Sequence, residues 1–195
     1  MHNENGTYTT VYRNIRYPRL ELKTGTLILI LPKDYTKEKQ LLEKHQKWIT
    51  QKQQIIQTAL KQAETTQLDE SRTLQELKAL TKTIVQQTES ELETKINRIF
   101  YRKMKTKWAS YSKNKNLTIN TSTRHLPQNL IRYIIYHELT HAKERKHNST
   151  FWTLVSKKHP NHKSLETQLL THWFLIQKTQ TLSCSEPPIR NSSKQ

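Results

Sequence analysis

The spacing of apolar residues divides this chain into two kinds of segment, and that division constrains its fold more than any other feature. Up to Pro32, Thr9 to Arg16 and Arg19 to Leu31 are rich in β-branched, Leu and Tyr residues, a strand-like pattern. Thr24-Gly25 separates Leu20-Glu21-Leu22 from Leu27-Ile28-Leu29-Ile30, and Gly accepts φ > 0, so a β-hairpin is predicted there. Pro32 ends the strand. From Thr36 the period is helical, with Leu41, His45, Trp48, Ile49, Ile56, Ala59, Leu60 and Ala63 on one face. A second helical run carries Leu74, Leu77, Leu80, Ile84, Val85 and Leu92. The chain therefore reads as α+β.

Much of 50–94 is Gln, Thr, Lys and Glu, which predicts a helical hairpin or arm outside any catalytic centre. Its two helices either pair antiparallel within the chain or offer an arm to a partner. Ile99 to Ser112 reads as one long basic strand, and Leu117 to Asn120 as a short one beyond an Asn114-Lys115-Asn116 turn. A strongly apolar helix with Leu130, Ile131, Ile134, Ile135 and Leu139 begins near Pro127, since Pro suits a first turn. Asn148 or Ser149 caps a helix containing Phe151, Trp152, Leu154 and Val155, and a last helix spans about 163–177. The predicted organisation is a flexible arm at 1–7, one domain over 8–177 with a helical insertion at about 50–94, and a disordered tail at 178–195.

Composition excludes several function classes. One Cys rules out an intramolecular disulfide framework and a Cys-rich zinc module. The longest apolar run, Leu27 to Leu31, is too short for a bilayer, and Met1 to Asn5 lacks a signal peptide's basic and apolar regions. The expectation is a soluble, cytoplasmic protein. Two Gly in the chain exclude Gly-rich phosphate loops. The net charge is +17, and it lies almost wholly in the second half: residues 95–137 carry ten basic side chains and no acidic one. Such a field attracts phosphates or acidic polypeptide; the plain alternative is a solvated lysine-rich surface.

The chemistry is carried by His137-Glu138-Leu139-Thr140-His141, an H-E-x-x-H sequence inside the apolar helix. Helical residues turn ~100° each, so positions four apart lie within ~40° of one another. His137 and His141 thus present two imidazoles to one tetrahedral Zn²⁺. Glu138 projects beside them, placed to act as general base without being a ligand. A hydrolytic site needs a third protein ligand and an open position. His147 is the first candidate, with His159, His162, His172 and Glu166 as rivals. On a continuing helix His147 would face ~240° away from His141, so the chain must turn after Ala142. Metzincins share this H-E-x-x-H, five residues, His spacing with Gly at the bend; here that position is Glu144, so a tightened final turn must do the work.

Taken together, this zinc motif with His147, Phe151-Trp152 and Pro160-Asn161 resembles the YgjP-like metallopeptidase domain, a relative of SprT-like proteases. Arg102-Lys103-Met104-Lys105-Thr106-Lys107-Trp108-Ala109-Ser110-Tyr111-Ser112 is similar to that family's strand, in which Gly and Cys stand where this chain has Ala109 and Tyr111. Leu117 to Asn120, Pro127 and Tyr133 fit as well, and the likeness covers about 10–49 and 95–170. It implies a small zincin-like domain, with an N-terminal β-hairpin, a mixed β-sheet and an active-site helix, and a long helical hairpin added. It also implies one Zn²⁺ on His137, His141 and His147, catalysis by Glu138 and a polypeptide substrate.

Tyr111, Tyr133 and Tyr136 are candidate donors to the oxyanion that peptide hydrolysis develops. Lys103, Lys105 and Lys107 alternate, so a strand puts them on one face opposite Met104 and Trp108. That face can pair an extended acidic substrate along its edge. Interleaved with Tyr101, Trp108 and Tyr111, it can instead hold nucleic acid, which makes a DNA-associated binding module, or a protease of DNA-bound proteins, the rival reading.

Overall fold

The computed structural model describes residues 8–23 and 26–183. The predicted arm at 1–7, the Thr24-Gly25 turn and residues 184–195 lie outside them. The first three strands are β1 (Thr9–Arg13), β2 (Arg19–Lys23) and β3 (Thr26–Pro32). β3 is central: β1 runs parallel to it, and β2 pairs antiparallel from Arg19–Ile30 to Lys23–Thr26. The all-apolar core of β3 follows from this position, since Leu27, Leu29, Ile30 and Leu31 are all buried. The hairpin is therefore the antiparallel half of a mixed sheet.

Helix α1 (Glu38–Lys44) leads into α2 (Gln46–Thr65), and α3 (Leu74–Glu91) follows a linker. Thr73 and Glu76 close a reciprocal capping box at the start of α3. Its buried Leu77, Thr81, Ile84, Val85 and Thr88 repeat at helical spacing. The two long helices take their main partners elsewhere: α2 lies along α6 (His162–Ser183) and α3 against α4 (Gln128–Thr140). Helix α6 runs past Gln177 to Ser183, into the segment expected to be disordered.

The second sheet holds β4 (Arg98–Arg102), β6 (Asn116–Asn120) and β5 (Ala109–Tyr111) in that spatial order. β6 is central, parallel to β4 and antiparallel to β5. The single long strand expected over Ile99 to Ser112 is thus two strands on opposite sides of β6, and the chain must leave the sheet between them. Asn120, fully buried, holds that crossing. Its side-chain amide donates to the carbonyls of Met104 and Lys107 at 2.9 and 2.8 Å and accepts from the N–H groups of Met104 and Ser122. Lys103, Lys105 and Lys107 consequently lie in a loop, not on one face of a strand.

A 3-10 turn (Thr121–His125) leads to α4, whose N-cap is Pro127. Nearly the whole helix is buried, from Leu130 to Thr140, with Arg132 facing outward. Helix α4 packs on α3, β5, α5 (Ser149–Lys158) and α6, so it is the axis of the main core. No helix among the described residues is long and apolar enough to cross a membrane.

Candidate metal centre

The site begins where α4 stops. His141 donates its N–H to the Glu138 carbonyl, Ala142 to Leu139 and Lys143 to Thr140, each three residues back. This tightened turn ends the helix without glycine and sends the chain outward. Lys146 N–H bonds the Glu144 carboxylate, and the Asn148 side chain caps α5 by accepting from Phe151 N–H at 3.0 Å. Between these two anchors the backbone swings His147 back over α4.

Three imidazoles meet as a result. Nε2 of His137 lies 3.0 Å from Nε2 of His147, and one ligand atom from each of His137, His141 and His147 falls within 4.8 Å of the others. Two nitrogens on a tetrahedral zinc with bonds of ~2.0–2.1 Å would stand about 3.3 Å apart, so the donor set fits such an ion. Nδ1 of His141 faces the Glu144 carbonyl at 3.0 Å, which fixes that ring's N–H there and leaves its Nε2 with a free lone pair. Burial, with the charges of His147 and His141 behind it, pushes the His137 imidazole down to about 3. Burial lowers His147 too. Both rings therefore stay neutral, the form that ligates a metal.

Aromatic rings hold the imidazoles in place. Phe151, fully buried, stacks on His141 at 4.7 Å and meets His137 edge-on at 4.9 Å. Trp152 stacks on His147 at 5.8 Å and on His162 at 5.2 Å. The Phe151-Trp152 pair thus backs the imidazoles of the site.

Glu138 projects from the same helix toward β5 and accepts the Tyr111 backbone N–H on Oε2 at 2.7 Å. Burial raises its carboxyl above the ordinary range, opposed by His141, by that N–H and by Lys107. Only one outward-facing N–H reaches it because the residues of β5 alternate. Trp108 and Ser112 bond back to β6, so Ala109 and Tyr111 turn their backbone groups to the free edge.

The tyrosines differ. Tyr133 donates its hydroxyl to Glu166 at 3.1 Å, and burial with the Glu166 charge raises its pKa. The Tyr136 hydroxyl reaches the Leu154 carbonyl at 3.5 Å and does not line the cavity. Tyr111 lines the cavity, and its hydroxyl oxygen is shielded and without a partner. Of the rival ligands, His159 packs against the rings of Tyr133 and Tyr136, and the buried His172 faces the Gln168 carbonyl, so neither joins the cluster. The cavity, about 650 Å³, opens on His137, Glu138, His141 and His147. Lys107 reaches it; Lys103 and Lys105 do not. Lys113, Lys115 and Arg145 also line it, and the sequence did not single them out, since only the fold brings them there.

The description "YgjP-like, metallopeptidase domain" matches residues 66–172, from before α3 into α6. The metallopeptidase zymogen of Pyrococcus abyssi abylysin aligns at 26% identity over 47% of this chain and 92% of its own, with a TM-score of 0.43. That of Methanocaldococcus jannaschii jannalysin aligns at 31% identity over 51% and 96%, with a TM-score of 0.41. No curated protein matches.

Proposed function

The chain belongs to the YgjP-like metallopeptidase family, and from that premise we propose that His137, His141 and His147 hold one Zn²⁺ and that Glu138 is the general base of peptide-bond hydrolysis. The observation that carries the reading is the convergence of three imidazoles beside a half-buried carboxylate on one cavity wall. Held there, zinc would lower the pKa of a bound water and polarise the scissile carbonyl.

The chain's own residues do the rest. An extended substrate lies along the free edge of β5, pairing with the outward N–H and carbonyl of Ala109 and the outward carbonyl of Tyr111. The Tyr111 N–H holds Oε2 of Glu138, which leaves Oε1 to take the attacking water's proton and return it to the leaving nitrogen. The raised carboxyl suits this exchange, because a base that is too acidic does not accept the proton. Tyr133 spends its hydroxyl on Glu166, and Tyr136 lies off the cavity. Tyr111 is therefore the tyrosine left to donate to the oxyanion.

Metal content and cleavage of a mixed peptide substrate, measured for wild type and Glu138→Gln, test the reading. About one zinc per chain in both proteins, with hydrolysis lost only in the variant, is the expected result. Wild-type protein that is folded, purified without chelator and free of zinc would sink the metal assignment. Undiminished hydrolysis by Glu138→Gln would remove Glu138 from the mechanism.

A further inference from the structure

Four cations, Lys107, Lys113, Lys115 and Arg145, stand around the cavity that holds the imidazoles. All four are exposed, and none forms an ion pair among the described residues. Two carboxylates line the same cavity, and both are engaged: Glu138 by the Tyr111 N–H and Glu166 by the Tyr133 hydroxyl. The placement of the cations follows the substrate track. Lys107 precedes β5 by two residues, and Lys113 follows it by two, in the turn closed by the Lys115 N–H on the Ser112 carbonyl. Arg145 lines the same cavity from the bend between His141 and His147, close enough for its charge to act on Tyr111. Lys115 also borders a second hollow shared with Glu89 and Glu93, so its charge belongs partly there.

Building on the peptidase reading above, we propose that this cavity selects polypeptide segments carrying acidic side chains on both sides of the scissile bond. An extended chain lying on β5 brings its flanking side chains to the two ends of the strand, where Lys107 and Lys113 wait, while Arg145 adds a third cation to the same cavity. A free cation beside a substrate position favours a carboxylate and repels Lys or Arg. The occupant is polypeptide and not nucleic acid because the cations ring the cutting centre itself. A nucleic acid attracted there would fill the place of the bond to be cut. Each exposed pair is worth about 1.5- to 5-fold, so three together give a preference of about 3- to 100-fold, centred on the order of ten-fold, and one that salt erodes.

Three peptides of one core sequence, flanked by Glu, Gln or Lys, test this. Their kcat/KM is measured with the zinc-loaded protein, and their binding is measured by anisotropy on Glu138→Gln. At low salt the Glu peptide should lead the Gln peptide by about ten-fold in both assays, with the Lys peptide last, and the lead should shrink at high salt. In Lys107→Gln/Lys113→Gln/Arg145→Gln the Glu-to-Gln ratio should fall toward one. Taking the ratio within one protein cancels the influence of Lys107 on Glu138. In Lys113→Glu/Arg145→Glu the order should invert. Equal handling of Glu and Gln peptides by the wild type, or a preference that survives both variants, overturns the proposal. Tighter binding of duplex DNA than of the Glu peptide, undisturbed by that peptide, also overturns it and assigns the cations to nucleic acid. If no peptide is cut while Glu138→Gln still binds the Glu peptide selectively, the hydrolytic mechanism fails and the charge selection stands.

Discussion

His147 shows how one residue can complete a site without taking part in the core. It is exposed, it sits in a bend, and its ring is fixed by Trp152 stacking and by the approach to His137. His147→Ala should therefore fold like wild type and lose metal affinity by more than about 100-fold, because even residues behind the ligands cost 10- to 100-fold. Competition titration with a chromophoric chelator measures it; unchanged affinity would mean a different third ligand. Tyr111→Phe makes the second residue-scale test. It keeps the backbone N–H on Glu138 and removes only the hydroxyl, so kcat should drop by about 100-fold with KM little altered. A rate equal to wild type would leave the oxyanion to the metal alone. His137, Glu138 and His141 were legible in the sequence because one helix fixes their relation through 3.6 residues per turn. Lys113 and Arg145 were not, because no periodicity links a turn after β5 with a bend after α4.

Among the elements, α4 was the most readable and β4–β5 the least. The apolar run Leu130 to Leu139 has a helical length and a proline start, and the helix is where those signals put it. The Lys-rich segment has no such period. What breaks it into two strands is a partner eighteen residues beyond Arg102: Asn120, whose side chain replaces ladder hydrogen bonds with bonds to Met104 and Lys107. Asn120→Ala would leave both carbonyls and the Met104 N–H without that partner. Such a loss in a buried place should cost about 2–3 kcal/mol in urea denaturation. A cost below 0.5 kcal/mol would show that the loop is held by other means. The same loop decides the nucleic-acid question at this scale. Lys103 and Lys105 lie off the cavity, so Lys103→Gln/Lys105→Gln should leave peptide selection as it is. If they contact phosphates, the salt slope of duplex DNA binding should flatten by about 0.9 per residue.

At the scale of the molecule, the donor set joins the central helix to the bend that follows it, which are otherwise held by a few hydrogen bonds and side-chain packing. His137 and His141 belong to α4, the axis of the main core, while His147 belongs to the bend that launches α5. An ion held by all three links the helix to that bend and, through Phe151 and Trp152, to the next helix. The N-terminal sheet is coupled differently: its buried Leu27, Leu29 and Leu31 lie outside the main cluster, and α2 reaches the rest of the molecule along α6. Metal removal should therefore lower stability without dissolving the fold. Free zinc at 1,000 times its Kd adds about 4 kcal/mol to a protein that binds it only when folded. For a chain of this length, 1 kcal/mol moves Tm by about 2–4 °C, so a chelator should lower Tm by about 10 °C. The shift should be absent in His137→Ala, which starts from the lower Tm, and calorimetry with and without chelator reads both. A Tm indifferent to chelator in the zinc-loaded wild type would mean that the ion is not held between these elements, whatever the distances among the imidazoles.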